Sequence, residues 1–320
     1  MAPEDYRPAW WLPGPHAQTL WAALATRPAA PPFRRERVEL PDGDFLALDH
    51  AGLSGGPCVL VLHGLEGGRD SPYVAALMGR IVARGWHGVL LNLRGCSGEL
   101  NRLARGYHSG DTADLAHVAA LLRARNPARP LLGVGFSLGG NQLLKYLGEA
   151  RDGALLDAAV AVSVPFELGR AAERLSLGFS RVYQRHLVSR LQDKVRRKAR
   201  ALPGYPLAVE RVAEWRDFRT FDDRVTAPLN GFLDADDYYA RASSRQFLAH
   251  IARPTLLLHA LDDPFLPRDA IPEAAELAAP VTLELARHGG HVGFVEGRVP
   301  WRANRWLEPR IIRFLAGCVE

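Results

Sequence analysis

The sequence predicts an α/β fold in which helices cover both faces of a mostly parallel central sheet. After residues 55–57, short continuous apolar runs alternate with longer segments whose apolar residues recur at helical spacing. Continuous apolar runs indicate strands buried on both faces, and strands that alternate with helices are typical of a parallel sheet. One interval of about ninety residues interrupts this alternation.

The N-terminal region lies outside this pattern. Residues 1–32 are rich in Pro and Trp, and we expect an irregular arm held on the domain by the buried rings of Trp10, Trp11 and Trp21. Residues 33–50 alternate apolar and polar side chains around a Pro-Asp-Gly turn, which predicts a β-hairpin.

The remaining elements follow from the apolar runs and from helical periodicity. We expect strands at 58–62, 88–93, 131–134, 158–164, 255–259 and 281–285, and helices at 73–84, 112–125, 141–147 and 306–315. The long interval after Val164 exceeds an ordinary connection. We therefore expect a single domain at 1–320, with an arm at 1–32, a core at 33–165 and 251–320, and a helical cap insertion at 166–250.

The composition is ordinary for a globular protein, since 48% of the 320 residues are apolar and 23% are charged. No apolar stretch is long enough to span a bilayer, and the N-terminus lacks the basic start and apolar core of a signal peptide. Three widely spaced cysteines favour a reducing compartment, so we expect a soluble, cytoplasmic protein. The net charge of +5 favours anionic partners only weakly, and we expect no nucleic-acid partner.

Much of the positive charge is concentrated in the expected cap. The segment from Arg181 to Arg200 contains eight Lys or Arg residues, while Leu187, Leu191 and Val195 recur every four residues. This pattern predicts a basic amphipathic helix. We interpret its charged side as a solvated outer face, with weak contact to a membrane surface as the alternative.

The stretch from Gly135 to Gly139 places a serine between an expected strand and an expected helix. Gly-Phe-Ser-Leu-Gly fits the G-x-S-x-G corner, where glycines permit strained angles and close backbone approach and Ser137 is exposed as a nucleophile. A dinucleotide fingerprint would require Gly in place of Leu138, and a P-loop would require Lys in place of Asn141. We therefore expect neither of these sites, and no cofactor.

A serine nucleophile requires a base and a carboxylate, which follow in the order Ser, Asp, His in hydrolases with such a sheet. The loop after the 255–259 strand contains Asp262 and Asp263, and the loop after the 281–285 strand contains His288 and His291. We prefer Asp263, because the following proline fixes its backbone, and His291, because two glycines precede it. The two histidines have no further ligands nearby, so we expect no metal site.

The oxyanion hole requires backbone donors near the nucleophile. We expect them to be the N–H groups of Leu138 and of Leu65, which lies in the His-Gly loop after the 58–62 strand. His63 in that loop is interpreted as structural, with its ring bonded to a nearby carbonyl.

Several longer blocks resemble the YheT-like α/β-hydrolases, bacterial relatives of the mammalian ABHD1 and ABHD3 proteins. The blocks are residues 13–20, 92–99, 101–102, 107–115, 221–222, 227–232 and 235–239, and the resemblance runs nearly end to end. It implies an α/β-hydrolase fold and a triad of Ser137, Asp263 and His291. It also implies a serine hydrolase of short- to medium-chain acyl or lipid esters.

Two alternatives stay open at this stage: an acyltransferase that uses an alcohol acceptor, and a non-catalytic scaffold that binds a lipid or a partner. An acyltransferase signature found in some relatives, His-x4-Asp, is absent after His108. We interpret Asp111 and Asp114 as the N-terminal cap and the first turn of the next helix. Cys96 is interpreted as a buried, unreactive thiol.

Overall fold

The computed structural model describes residues 5–53 and 55–319 and contains the expected central sheet. Its strands are β1 (Arg34–Glu39), β2 (Phe45–Gly52), β3 (Cys58–Leu62), β4 (His87–Asn92), β5 (Leu131–Phe136), β6 (Ala158–Val162), β7 (Thr255–Ala260), β8 (Val281–Ala286), β9 (Val295–Glu296) and β10 (Asn304–Arg305). The first eight form one sheet in the order β1-β2-β4-β3-β5-β6-β7-β8, and β9 pairs with β10 separately. All pairs from β4 to β8 are parallel, whereas β1 and β2 form the expected antiparallel hairpin.

The helices lie on both faces of this sheet. They are α1 (Pro15–Leu20), α2 (Pro72–Ala83), α3 (Ala113–Arg125), α4 (Leu138–Ala150), α5 (Leu168–Leu175), α6 (Ser180–Ala201), α7 (Phe218–Phe221), α8 (Ala227–Asn230), α9 (Ala235–Ala242) and α10 (Leu307–Val319). Short 3₁₀ turns span Arg151–Gly153, Val212–Glu214, Arg245–His250, Arg268–Ala270, Ala274–Glu276 and Pro300–Arg302, and π turns span Trp21–Ala25 and Asp222–Thr226. One core layer contains α3 and α4, and the other contains α2 and α10.

The pairing of the central strands brings the expected site loops together. Leu62 at the end of β3 lies opposite Gly135 of β5, and His259 of β7 lies opposite Leu285 of β8. The carboxyl ends of parallel strands meet at one edge of a sheet, so the four loops that follow these strands share that edge. β3, β5, β6 and β7 are buried along their whole length, as their continuous apolar runs predicted.

Residues 163–254, which we call the insertion, connect β6 to β7 and contain helices but no strand. The longest of them, α6, corresponds to the expected basic amphipathic helix. Its inward residues Val188 and Val195 pack with Val212, Phe221 and Val225 in a cluster of their own. A fully buried side chain of this size stabilises the fold by about 1.5–3 kcal/mol, so the insertion has a local core.

The N-terminal arm differs from expectation in two respects. It contains the helix α1 followed by a π turn, although the sequence predicted irregular structure. The Trp10 ring is 78% exposed and not buried as expected, although its Nε1–H donates to the Arg298 carbonyl at 3.0 Å. Trp11 and Trp21 do pack together, with ring centroids 4.7 Å apart, and the Gln18 side chain both donates to and accepts from the backbone of Val295.

The start of α3 also corrects an expectation. Thr112, not Asp111, is the N-cap residue, and it makes no side-chain capping bond. Asp111 instead accepts a hydrogen bond from Arg105 at 2.9 Å, while Asp114 lies in the first turn as expected and pairs with Arg94. These buried carboxylates form ion pairs instead of capping the helix. Across residues 5–53 and 55–319, no helix combines the length and hydropathy needed to cross a bilayer.

Candidate active site

Ser137 is the single residue between β5 and α4, and its backbone is strained. Its φ of 51° and ψ of −119° are unusual for a residue other than glycine, and its N–H donates to the Val162 carbonyl at 2.8 Å. A Cβ on Gly139 would lie 2.6 Å from the His63 carbonyl oxygen, so the corner requires glycine there. The tight turn places the Ser137 side chain at the N-terminus of α4.

The structure brings Ser137 together with the two side chains preferred from the sequence. Ser137 Oγ lies 3.0 Å from His291 Nε2, and His291 Nδ1 lies 2.9 Å from Asp263 Oδ2 and 3.1 Å from Oδ1. Asp263 Oδ1 also accepts the Phe265 N–H at 2.8 Å. The Asp263 side chain is 1% exposed and the His291 side chain 10% exposed, so the hydrogen bonds between these three residues are shielded from water. The arrangement can move a proton from a serine hydroxyl to an imidazole.

Three contacts hold the His291 loop, and sequence reasoning assigned none of them. The His291 N–H donates to Thr19 Oγ1 at 2.9 Å, and the Val292 N–H donates to Ser163 Oγ at 3.0 Å. Val292 and Ser163 both have positive φ, 54° and 50°. The Phe265 ring stacks on the imidazole with centroids 3.9 Å apart and planes within 2°. Thr19 lies in the 13–20 block, so the sequence did single out its segment without giving it a role.

The two rejected candidates form a separate pair at the surface. Asp262 Oδ1 accepts the Gly290 N–H at 3.0 Å, and Oδ2 lies 3.4 Å from His288 Nδ1. The His288 side chain is 63% exposed. Asp262 therefore supports the glycine turn that precedes His291, while Asp263 contacts the imidazole itself.

The loop after β3 lies beside the serine. A Cβ on Gly64 would lie 3.3 Å from Ser137 Cβ, and the Gly64 N–H donates to the Tyr73 hydroxyl at 2.9 Å. Leu65 follows directly, and Leu138 is the first residue of α4. The first N–H groups of a helix have no acceptor within the helix, and the Leu138 N–H is the first of α4.

His63 has the structural role expected of it. Its Nδ1–H donates to the Gly64 carbonyl at 2.7 Å, and its Nε2 accepts the Leu93 N–H at 3.1 Å. Complete burial lowers the pKa of the imidazole to about 4. Both ring nitrogens are thus engaged in joining the ends of β3 and β4.

Glu66 connects this loop to the insertion, a contact that the sequence did not reveal. The backbone of Glu66 lies in the left-handed region, with a φ of 53°. Its N–H donates to the Tyr107 hydroxyl, and its carboxylate accepts from Tyr107 at 2.8 Å and from the Lys194 ammonium of α6. Lys194 Nζ also lies 3.1 Å from Cys96 Sγ. Burial raises the pKa of the Cys96 thiol to about 11, which agrees with an unreactive cysteine.

A cavity opens from Ser137 and His291 into the insertion. Its wall is mainly apolar and includes Leu168, Leu175, Leu187, Leu191, Val195, Phe218, Phe221, Val225 and Leu229. At the side of α6 the lining includes Lys198, whose ammonium donates to the Arg105 carbonyl at 2.5 Å and whose pKa is lowered to about 8 by burial. The lining also includes His108, whose pKa burial lowers to about 3. The cavity therefore suits a mainly apolar group attached to the reacting centre.

Comparison with known proteins places this geometry in context. The family profile for the α/β-hydrolase fold matches residues 57–298. The esterase YheT of Escherichia coli is 41% identical over 95% of this chain and 91% of its own length. The mouse phospholipase ABHD3 is 31% identical over 99% of this chain and 79% of its own length. The monoacylglycerol lipase of Saccharomyces cerevisiae is 33% identical over 88% of this chain and 63% of its own length.

Solved structures agree on the fold. An esterase of Pyrococcus furiosus superposes with a TM-score of 0.59 at 15% identity, covering 92% of this chain and 99% of that one. The family profile and the long alignments extend over the sheet, the serine corner and the insertion alike. The chain therefore belongs to the α/β-hydrolase family, in the branch of the YheT-like proteins.

Proposed function

We propose that this protein hydrolyses carboxylic esters through an acyl-enzyme on Ser137, with His291 as the general base and Asp263 as the residue that orients it. The observation that carries the proposal is the continuous relay from Ser137 Oγ to His291 Nε2 at 3.0 Å and from His291 Nδ1 to Asp263 Oδ2 at 2.9 Å. Relatives named as an esterase, a phospholipase and a monoacylglycerol lipase support an ester as the substrate.

In the first half-reaction, Ser137 Oγ attacks the ester carbonyl while His291 Nε2 takes the hydroxyl proton. The imidazolium then gives that proton to the departing alcohol, leaving the acyl group on the serine. Asp263 keeps the Nδ1 proton on the other side of the ring and stabilises the positive charge that forms on the imidazole. In the second half-reaction, His291 activates a water molecule, and the acid leaves.

The negative charge on the tetrahedral oxygen needs donors that are already in place. We assign this role to the backbone N–H groups of Leu65 and Leu138. Leu138 begins α4, where the helix dipole favours negative charge, and the Leu65 loop is fixed by the bonds of its neighbours to Tyr73 and Tyr107. Such preorganised donors each contribute about 3–4 kcal/mol to lowering the barrier.

The acyl chain is assigned to the apolar part of the cavity. Leucines of α5 and α6, together with Phe218 and Phe221, line a path that starts at the nucleophile. Each methylene that leaves water there gains about 0.8 kcal/mol, which favours medium-length chains over acetyl groups. The substrate class we propose is therefore a short- to medium-chain acyl or lipid ester.

The test is the variant Ser137→Ala, assayed on p-nitrophenyl esters of graded chain length. Loss of the nucleophile is expected to lower kcat by roughly four to six orders of magnitude without changing Tm by more than a few degrees. Ser189→Ala, at an exposed position of α6, is the matched control and should retain full activity. Undiminished hydrolysis by Ser137→Ala would refute the mechanism, and ethyl esters formed in preference to acid in ethanol-containing buffer would reassign the enzyme to acyl transfer.

A further inference from the structure

The outer face of α6 carries several positive charges that have no carboxylate partner among the described residues. Arg185, Arg190, Arg197 and Arg200 are exposed, and none of them forms an ion pair within residues 5–53 and 55–319. The only acidic residue of the helix is Asp193, which pairs with its neighbour Arg196 at 2.7 Å. These four arginines lie within sixteen positions of one helix, so they concentrate positive charge on one part of the surface.

Exposed apolar side chains lie just before α6 and in its first turn. Leu177 is 60% exposed, Phe179 49% and Val182 54%. The first two belong to the turn between α5 and α6, and Val182 lies in the first turn of α6. Isolated exposed apolar residues are common, but three within six positions beside a basic stripe mark a contact surface.

We propose that this surface, formed by residues 177–182 and the outward arginines of α6, docks on an anionic lipid bilayer. Arginines that lie flat against a membrane contact lipid phosphates, while the adjacent Leu, Phe and Val side chains enter the acyl boundary. A nucleic acid would use the arginines but leave the three apolar residues in water. A second copy of the chain would place two arginine faces against each other, which charge repulsion opposes.

The docking surface lies close to the proposed active site. The Phe179 ring contacts Tyr183 at 5.9 Å between centroids, Tyr183 contacts Phe265 at 5.0 Å, and Phe265 stacks on His291. The same helix presents Leu187 and Leu191 to the cavity on its inner side. A bilayer on the outer face of α6 therefore lies about one helix diameter from the apolar wall of the cavity.

The experiment is co-sedimentation with vesicles, using the Ser137→Ala protein so that binding is read without hydrolysis. Vesicles of phosphatidylcholine containing roughly one-third phosphatidylglycerol should bind the protein at low salt, and binding to pure phosphatidylcholine should be far weaker. Because each arginine near such a surface contributes roughly a fivefold gain in affinity, the triple variant Arg185→Gln/Arg190→Gln/Arg197→Gln should bind about 100-fold more weakly. Its Tm and circular dichroism spectrum should be unchanged.

A second variant tests the apolar part of the surface. Leu177→Ser/Phe179→Ser should abolish the binding that persists at high salt, where only the arginine contribution is screened. Matched controls are Arg80→Gln on α2, which packs on α10 away from the insertion, and Leu233→Ser, which is 91% exposed beside Asp234 and Asp236. Neither control should alter binding.

Two results would overturn the proposal: equal vesicle binding by the triple variant and its parent, or capture by a single-stranded oligonucleotide without capture by vesicles. Both readouts are independent of catalysis. An enzyme that failed the ester assay could still bind vesicles, and an active enzyme could fail to bind them, so the two proposals are separable.

Discussion

Replacing Asp263 with Asn tests how the proposed acid controls the imidazole. One carboxylate oxygen, Oδ1, accepts the Phe265 N–H at 2.8 Å, and the other, Oδ2, lies 2.9 Å from His291 Nδ1. An asparagine must keep its carbonyl oxygen on the Phe265 N–H, because that donor is otherwise unpaired. Its NH₂ group then faces His291 Nδ1, which can only accept, so the ring proton moves to Nε2 and points at the Ser137 oxygen. His291 is then in the tautomer that cannot accept the Ser137 proton.

The expected fall in kcat has two causes. The neutral tautomer with a free Nε2 becomes the minor form, and the imidazolium that develops during attack loses a carboxylate whose side chain is 1% exposed. A comparable change in a serine protease lowers kcat by about 10⁴, which is about 5.4 kcal/mol at 1.36 kcal/mol per tenfold. We expect kcat for Asp263→Asn to fall by about four orders of magnitude, with KM changed by less than about threefold.

The assay is steady-state hydrolysis of a p-nitrophenyl ester, with Tm recorded for each variant. Asp262→Asn is the matched control, since its carboxylate contacts Gly290 and His288 but not His291, and its kcat should stay within about tenfold of the parent. Activity of Asp263→Asn within tenfold of the parent, or a larger loss in Asp262→Asn, would refute the assignment of the acid.

Three further outcomes are expected. Thr19→Val removes the acceptor of the His291 N–H and should lower kcat by about tenfold with little change in KM, while Thr19→Ser should restore it; equal kcat for the two variants would contradict the positioning role. Leu191→Trp fills the cavity and should shift the preferred acyl chain on p-nitrophenyl esters to shorter lengths; an unchanged preference would place the chain elsewhere. Burial lowers the pKa of both His63 and His259 from 6.5 to about 4, so the folded state takes up fewer protons than the unfolded chain in that window. Tm should therefore fall as pH is lowered from 6.5 towards 4, and a flat profile would contradict the buried neutral rings.

The sequence predicted the sheet and the proposed triad because both depend on local patterns. Continuous apolar runs identified the parallel strands. The expected strand at 131–134 and the expected helix at 141–147 were both too short near Ser137, because in the structure β5 and α4 are separated by that residue alone. The chain order Ser, Asp, His limited the candidates to one acidic loop and one histidine loop, since parallel strands place the loops that follow them at one edge. The proline after Asp263 and the two glycines before His291 then decided between neighbouring residues.

What the sequence did not reveal depends on contacts between distant segments. The hydrogen bond from the His291 N–H to Thr19 joins residues 272 positions apart, and the pair of Lys194 with Glu66 joins residues 128 apart. The helix α1 was missed because its six residues carry no capping side chain, and Gly14 at its N-cap has a φ of 80°. The helix is stabilised by packing against the His291 loop, and the sequence pattern of a short segment does not show such a contact.

The insertion leaves the sheet from β6 and returns to β7, two strands that pair directly with Ala159 opposite Thr255. Its first and last helices are also joined, by the hydrogen bond from the Leu168 N–H to Ser243 Oγ at 3.0 Å. The chain thus leaves and re-enters the sheet at neighbouring strands, so the insertion can change in length without altering strand order. Substituting the part of this stretch that follows Ser163 can therefore change the cavity wall while the contact between Ser163 and Val292, beside the proposed triad, is kept.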